Sequence, residues 1–530
     1  MSQLDTVIRG GTIIDGTGGD PVVADVGLAG GRIAVIGSVP AADAREVVDA
    51  ARLCVAPGFI DLHSHADLTI HGAPAAETYL RQGVTLLQMG NCGFSPFPMG
   101  ATAGAVDALR SNVSVLATGL PWDWTDLETF AESVTSRRPG INFAVQAGHH
   151  AIRLAVMGAE DRRASEAELA LMGSEVRRAA DAGATGVSFG LIYAPGSFAD
   201  KRELEAVARA AADCGLLVSC HIRNETDHVL DAVDEILDVA SNSGARLQIS
   251  HVKAMAEPNH GKVARAIEHI ESARREGVDV ATDVYPYTAS STTLTSRLSN
   301  WAMSGGVAEL LRKLGDDSAR ARVVRELGTR MREDVNPDGV VIADIGNGPD
   351  RWVIGRSLTE IGREWRISPE EAAIRVIADH EGSVQIINHS MSETDIESAL
   401  AYEHCAVASD GSQLGADGTG VTHPRSFGTF PRVLSRYVRE RGVLNLPEAV
   451  RRMTSLPASR MRLAGRGTLG VGAHADVVVF DAGTVADRST YVDPWQLSVG
   501  VRDVFIGGRK AVVGGEVTSL RAGRFVRGGS

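Results

Sequence analysis

Residues 58–67 read GFIDLHSHAD. A short apolar run passes through Asp61 and Leu62 into His63 and His65. Two residues apart on an extended strand, both imidazoles project to the same face, as two ligands of one metal must. Seven further runs share this form, a brief apolar strand that closes on polar or ionisable side chains. They are GVTLLQMGNCG (83–93), NFAVQAGHH (142–150), ATGVSFGLIY (184–193), LLVSCHIRN (216–224), RLQISHVKA (246–254), DVATDVYPY (279–287) and CAVASDG (405–411). Helical stretches separate them. EDRRASEAELALMGSEVRRAADAGA (160–184) and ADKRELEAVARAAADCG (199–215) are charged on one face, Ala/Leu-rich on the other, and reach a glycine near their ends. Eight strands alternating with helices predict an α/β fold, a (β/α)₈ TIM barrel, whose active site is assembled at the C-terminal strand ends. The ionisable residues sit at that end of each run.

A ninth run, SVQIINHS (383–390), is one too many for the barrel. It is assigned to an insertion near the barrel mouth, about residues 300–395, where WAMSGGVAELLRKLG and IADIGNGPDR intervene. That insertion is either a mobile lid, with Gly305 and Gly306 as hinges, or a rigid packing element. The chain ends have another grammar. DTVIRGG, TIIDG and DVGLAGGRIAVIG near the start, and GTLGVGAHADVVVFDAG and GVRDVFIGGRKAVVGGEV near the end, are short strands with Gly-Gly turns. VFIGGRKAVVGGE echoes VIRGGTIIDGTGG. Residues 1–54 and 466–530 are therefore expected to build one small β-sandwich domain from both termini, flanking a catalytic barrel at 55–465.

Composition narrows the function. The 530 residues, 44% hydrophobic and 22% charged, with mean hydropathy −0.01, suit a globular chain of more than one domain. The 53 basic and 66 acidic side chains give a net charge of −13, which argues against nucleic acid as a partner. No run of about eighteen apolar residues exists to cross a membrane. Five scattered cysteines argue for a reducing compartment, and MSQLDTVIRGG lacks the pattern of a secretory leader, so a cytoplasmic location is expected.

His221 and His251 close later runs as His63 and His65 close the first, and neutral imidazole is a common zinc ligand. Cys92, in the Gly-flanked loop of QMGNCGFSP, offers a thiolate that two metals can share. Cys54, Cys214, Cys220 and Cys405 read as small buried hydrophobes; Cys220, beside His221, points to the other strand face. Asp410, in VASDGS, is placed to accept a proton from a metal-activated water and return it to a leaving group.

These stretches resemble the amidohydrolase superfamily and, within it, the N-acyl-D-amino-acid deacylase (D-aminoacylase) family. The matching segments are APGFIDLHSHAD, GVTLLQMGNCGFSP, GATGVSFGLIYAPGSFA, SHVKA, DVYPYTASSTTL, SDGS with HPRSFGTFPRVL, MTSLPASR and GAHADVVVFD. The resemblance implies a metal-dependent TIM barrel with a small β-domain, cleaving the amide of an N-acyl-D-amino acid to a carboxylate and a free D-amino acid. It implies a tight zinc site at Cys92, His221 and His251, a weaker second position at His63 and His65 with Cys92 bridging, and Asp410 as general base, then acid. Lys253, Tyr285 and Arg297 fall where the family holds the substrate α-carboxylate, Tyr287 competing with Tyr285 for that contact, and Tyr193 falls where it meets the scissile carbonyl.

One departure is AGHHAIR. On a strand, His149 and His150 would face opposite ways, and neither is assigned as a ligand. Lysines occur only at 201, 253, 262, 313 and 510. Dihydroorotases and hydantoinases bridge two metals with a carboxylated lysine from the third or fourth strand region, which has none here, so Cys92 is the available substitute. The alternatives kept open are a hydrolase of another amide, carbamoyl or cyclic bond, and a metal-free scaffold relative. Arg425, in HPRS, meets either an acidic substrate side chain or a structural carboxylate. Side-chain and acyl preference, metal number and oligomeric state are not legible.

Overall fold

All eight runs become strands of one parallel sheet whose order follows the chain: β1 (Phe59–Asp61), β2 (Val84–Met89), β3 (Asn142–Gly148), β4 (Gly186–Gly190), β5 (Leu217–His221), β6 (Arg246–Ile249), β7 (Val280–Val284) and β8 (Cys405–Val407). The computed structural model describes residues 3–113, 120–346, 348–418 and 420–529. Past the strand ends the sheet's two edges meet. Ser64 pairs in parallel with Gly411, Asp410 N donates to His63 O at 2.8 Å, and His65 N donates to Gly411 O at 2.8 Å. Asp61, fully buried, reinforces this seam by accepting from the Ser409 backbone N–H at 3.0 Å and from the Ser409 hydroxyl. The closure brings the segment carrying His63 and His65 alongside Asp410.

Outside the barrel lie α1 (His149–Met157), α2 (Glu166–Asp181), α3 (Lys201–Asp213), α4 (Val229–Ser243) and α5 (Lys262–Arg275). Local chemistry fixes their ends. Ser165 and Glu168 form a reciprocal cap on α2, Asp200 accepts from Glu203 N on α3, and α4 stops at Gly244 with φ 72°. α3 buries Leu204, Val207, Ala208 and Ala211, the i, i+3, i+4, i+7 stripe its sequence shows. His149 and His150 correct the expectation of a strand: they open α1. β3 ends at Gly148, where a Cβ would meet Gly93 O at 2.4 Å, and His150 N donates to Gly93 O at 3.0 Å. The chain turns there around the Cys92–Gly93 loop.

Both termini contribute to a separate nine-stranded sheet. Cys54–Pro57 lies parallel to Leu4–Ile13 and antiparallel to Val477–Phe480, which joins the two ends. VVVF is continuously apolar because it is buried on both faces. Val477 and Val479 pack with Ile8, Ile13 and Val55 in the terminal core, while Val478 and Phe480 pack with Phe59 in the barrel core.

The run at Val384–His389 belongs to a third sheet, antiparallel between Ala289–Thr293 and Val340–Ile345, with its own core around Leu294, Ile342 and Ile386. The first strand of this lobe follows β7 directly. No described helix is long and apolar enough to cross a membrane.

Candidate metal centre and active site

The seam, the β2 loop and the ends of β5 and β6 bring six side chains together. Donor atoms of His63, His65, Cys92 and Asp410 lie within 4.8 Å of one another, and so do those of Cys92, His221 and His251. Cys92 belongs to both sets. Its Sγ is 3.2 Å from His63 Nε2 and 3.5 Å from His251 Nε2, and Asp410 Oδ1 is 3.3 and 3.1 Å from the Nε2 atoms of His63 and His65. All six are buried. β1 ends at Asp61, so the paired histidines do not sit on the strand itself; hydrogen bonding across the seam, not the pleat of β1, aligns them.

The backbone is strained where it delivers these groups. Cys92, Asp410 and His251 have φ of 54°, 51° and 35°, a region non-glycine residues rarely adopt. Glycine makes room behind Cys92: a Cβ on Gly190 would fall 1.9 Å from Cys92 O.

Burial alone would raise the Cys92 thiol and the Asp410 carboxyl. Instead, His63, His251 and His221 hold the thiol well below its usual value, and Arg425, His63 and His65 do the same for Asp410. His65 Nδ1 and His221 Nδ1 are buried without a hydrogen-bond partner among the described residues. A polar cluster left so incompletely satisfied is costly. Soft sulfur, imidazole nitrogen and carboxylate oxygen are the donor set of zinc, so these residues fit that ion, in two overlapping positions that share Cys92.

Beside the cluster a cavity is lined by Tyr193, His221, Lys253, Tyr285, Arg297 and Asp410. Arg297 is 3% exposed and its Nε has no partner; burial and the nearby Arg330 pull its pKa down. Tyr193 meets His221 edge to face with ring centroids 4.9 Å apart, and its oxygen accepts from Thr292 Oγ1 at 3.0 Å. Tyr285, with its ring beneath Lys253 and Arg425, faces this cavity, whereas Tyr287 turns its hydroxyl to Pro424 O at 3.4 Å. A second cavity continues past Tyr193 and Asp410 to Arg425, on α6 (Arg425–Arg432). Arg425 donates from Nη1 to Asp410 Oδ2 at 2.5 Å and from Nη2 to Ser291 O at 3.2 Å.

His149 and His150 hold no place in the donor sets. His149 Nε2 pairs with Glu203 at 2.8 Å under α3, and His150 Nε2 donates to Gly190 O at 2.9 Å. Burial pushes His150 down to about 3, so it stays neutral as that donor. Lys201 lies on the exposed face of α3, paired with Asp238. Sequence reasoning missed two buried carboxylates. Asp283 accepts from Gln248 Nε2 and from His251 N, and lies 3.1 Å from His63 Nδ1. Glu225 touches Lys253 at 2.5 Å. The signal for Asp283 was present, an acid inside the apolar run DVATDV; Glu225, in a loop four residues after His221, carried none.

A parallel barrel with a His/Cys/Asp cluster at its strand ends defines the class as metal-site barrel enzymes. The chain belongs to the amidohydrolase family, which it matches over residues 46–327 and 408–512. It is 39% identical to an N-acyl-D-glutamate deacylase of Alcaligenes xylosoxydans xylosoxydans, over 99% of this chain and 97% of that one. It resembles the crystal structure of an N-acyl-D-glutamate deacylase from Bordetella bronchiseptica complexed with zinc and a phosphonate mimic of the tetrahedral intermediate, with a TM-score of 0.84, 36% identity and coverage of 99% and 100%. A D-aminoacylase structure concerned with one-metal activation and second-metal attenuation in a binuclear centre matches with the same TM-score, 32% identity and the same coverage.

Proposed function

We propose that this chain is a zinc-dependent hydrolase that cleaves the amide bond of N-acyl-D-amino acids, releasing a carboxylate and a free D-amino acid. The observation that carries the reading is the placement of a buried, unsatisfied His/Cys/Asp cluster against a cavity that also holds the cations Lys253 and Arg297. One donor set suits the amide, and the cations suit a carboxylate one carbon away. Cys92, His221 and His251 would hold the zinc, which when bound would supply Lewis acidity toward the acyl carbonyl and lower the pKa of water. His63, His65, Cys92 and Asp410 form the second, weaker position.

Asp410 takes the proton of the attacking water and delivers it to the departing amine. Arg425 fixes Oδ2, which leaves Oδ1 toward the reacting centre. Because Tyr193 oxygen accepts from Thr292, its own O–H remains free to donate to the acyl oxygen as charge develops. Lys253, Arg297 and Tyr285 hold the α-carboxylate, so the face of the chiral carbon presented to the cluster is fixed by charge-assisted contacts. The high identity to an N-acyl-D-glutamate deacylase supports acidic D-residues as substrates, with Arg425 the cation on the second cavity wall.

The test is a panel of N-acetyl-D- and N-acetyl-L-amino acids, including D-glutamate and D-aspartate, assayed with and without zinc beside a hydantoin. Zinc-dependent release of D-amino acids is expected. Turnover of the hydantoin alone would overturn the reading.

A further inference from the structure

Glu225 lies in the loop after β5, 4% exposed. Its Oε1 is 2.5 Å from Lys253 Nζ, 3.3 Å from His221 Nε2 and 3.4 Å from His251 Nδ1. Groups with separate tasks thus share one oxygen atom. His251 turns its other nitrogen, Nε2, toward Cys92 Sγ. When Nε2 binds a metal, the ring proton resides on Nδ1, and the neighbour of that atom at 2.7 Å is Lys253 Nζ, a donor that cannot accept it. Glu225 Oε1 can. Ligand imidazoles hand this outward N–H to a carboxylate, a carbonyl or water, and the hand-off orients the ring. Among the described residues Glu225 is the only carboxylate paired with that nitrogen.

We propose that Glu225 is the positioning residue that couples the Cys92–His221–His251 metal position to the grip on the substrate carboxylate. Its Oε1 accepts the outward N–H of His251, approaches His221, and holds the ammonium of Lys253 in place, so that one carboxylate orients both the ligand imidazoles and the cation that meets the substrate. The inference rests on the deacylase reading for the role of Lys253, but its metal arm stands independently.

The experiment uses the full chain and compares wild type, Glu225→Gln and Lys253→Met. Zinc affinity is read by competition with a chromogenic chelator, with no substrate present. Glu225→Gln is expected to lose affinity by about 10- to 100-fold. Lys253→Met, which frees Glu225 for the imidazoles, is expected to bind zinc at least as tightly as wild type. At saturating zinc, Glu225→Gln should recover most of its kcat but keep a raised KM. Unchanged affinity in Glu225→Gln, or equal losses in both variants, overturns the proposal. If Glu225→Gln does not fold, Lys253→Met alone decides, because a structural ion pair predicts weaker zinc binding there. Wild-type protein that binds zinc yet leaves every N-acyl-D-amino acid intact defeats the deacylase reading and leaves the affinity comparison standing.

Discussion

Asp410 is held from both sides: Arg425 grips one carboxylate oxygen, and the imidazoles of His63 and His65 approach the other. It is therefore ionised and aimed, the state a proton acceptor needs. Asp410→Asn preserves shape but cannot take the proton. Because Cys92, His221 and His251 are untouched, the zinc they hold should remain by elemental analysis while kcat falls by about 10²- to 10⁴-fold. A zinc-loaded Asp410→Asn enzyme with full turnover would remove Asp410 from the chemistry. Arg297 makes a different prediction, since it is a buried cation short of partners. Arg297→Met removes a hydrogen bond to a charged group, worth about 2 kcal/mol or roughly 30-fold in kcat/KM. The loss should vanish for an N-acetyl-D-amino amide, which has no carboxylate to hold; an equal loss on both substrates would point to packing instead.

At the scale of elements, the barrel was legible because each strand is short, apolar and closed by polar residues, as buried parallel strands are, and because helical stretches alternate with them. Where packing overrode local pattern, the reading failed. AGHH looks like a continuing strand, yet Gly93 O captures the His150 N–H and starts α1. Ala289–Thr293, ASSTT, carries no alternation of its own and becomes a strand through pairing with Val384–His389. A partner under a neighbouring helix was the expected place for one of the AGHH histidines, but its identity was not legible because it comes from a distant segment: Glu203 on α3 accepts from His149 and Arg153 in a fully buried triad linking α1 to α3. Burial would raise Glu203, but His149 and Arg153 win and hold it down to about 2. A carboxyl depressed from 4.5 adds stability that is complete above pH 4.5 and is lost as pH falls toward 2. Glu203→Gln should therefore cost about 3 kcal/mol at pH 7. The gap in melting temperature between the variant and wild type should narrow below pH 4.5. A gap independent of pH would show that shape, not charge, links the helices.

Over the whole molecule, the site is also a fastener. Its donors come from the extension of β1, the β2 loop, β5, the turn after β6 and the extension of β8, so they span the seam where the barrel closes. Apart from that seam, β1 and β8 are the two free edges of the eight-stranded sheet. Metal held by the two donor sets would tie those edges together and give a partner to the unsatisfied ring nitrogen of His221. Since an unfolded chain cannot assemble five dispersed segments, binding adds to stability by mass action, about 4 kcal/mol at free zinc 1,000 times Kd. Chelation is thus expected to lower the melting temperature reversibly, and added zinc to restore it. Cys92→Ser, which removes the atom common to both donor sets, should melt near the chelated wild type and respond little to zinc. The order of unfolding carries the sharper form of this argument: in hydrogen exchange, chelation should expose first the Ser64–Gly411 seam, while the terminal sheet, joined through Val477–Phe480 and Cys54–Pro57, keeps its protection. Uniform loss of protection across both sheets would mean that the ion stabilises the fold globally rather than by closing the barrel.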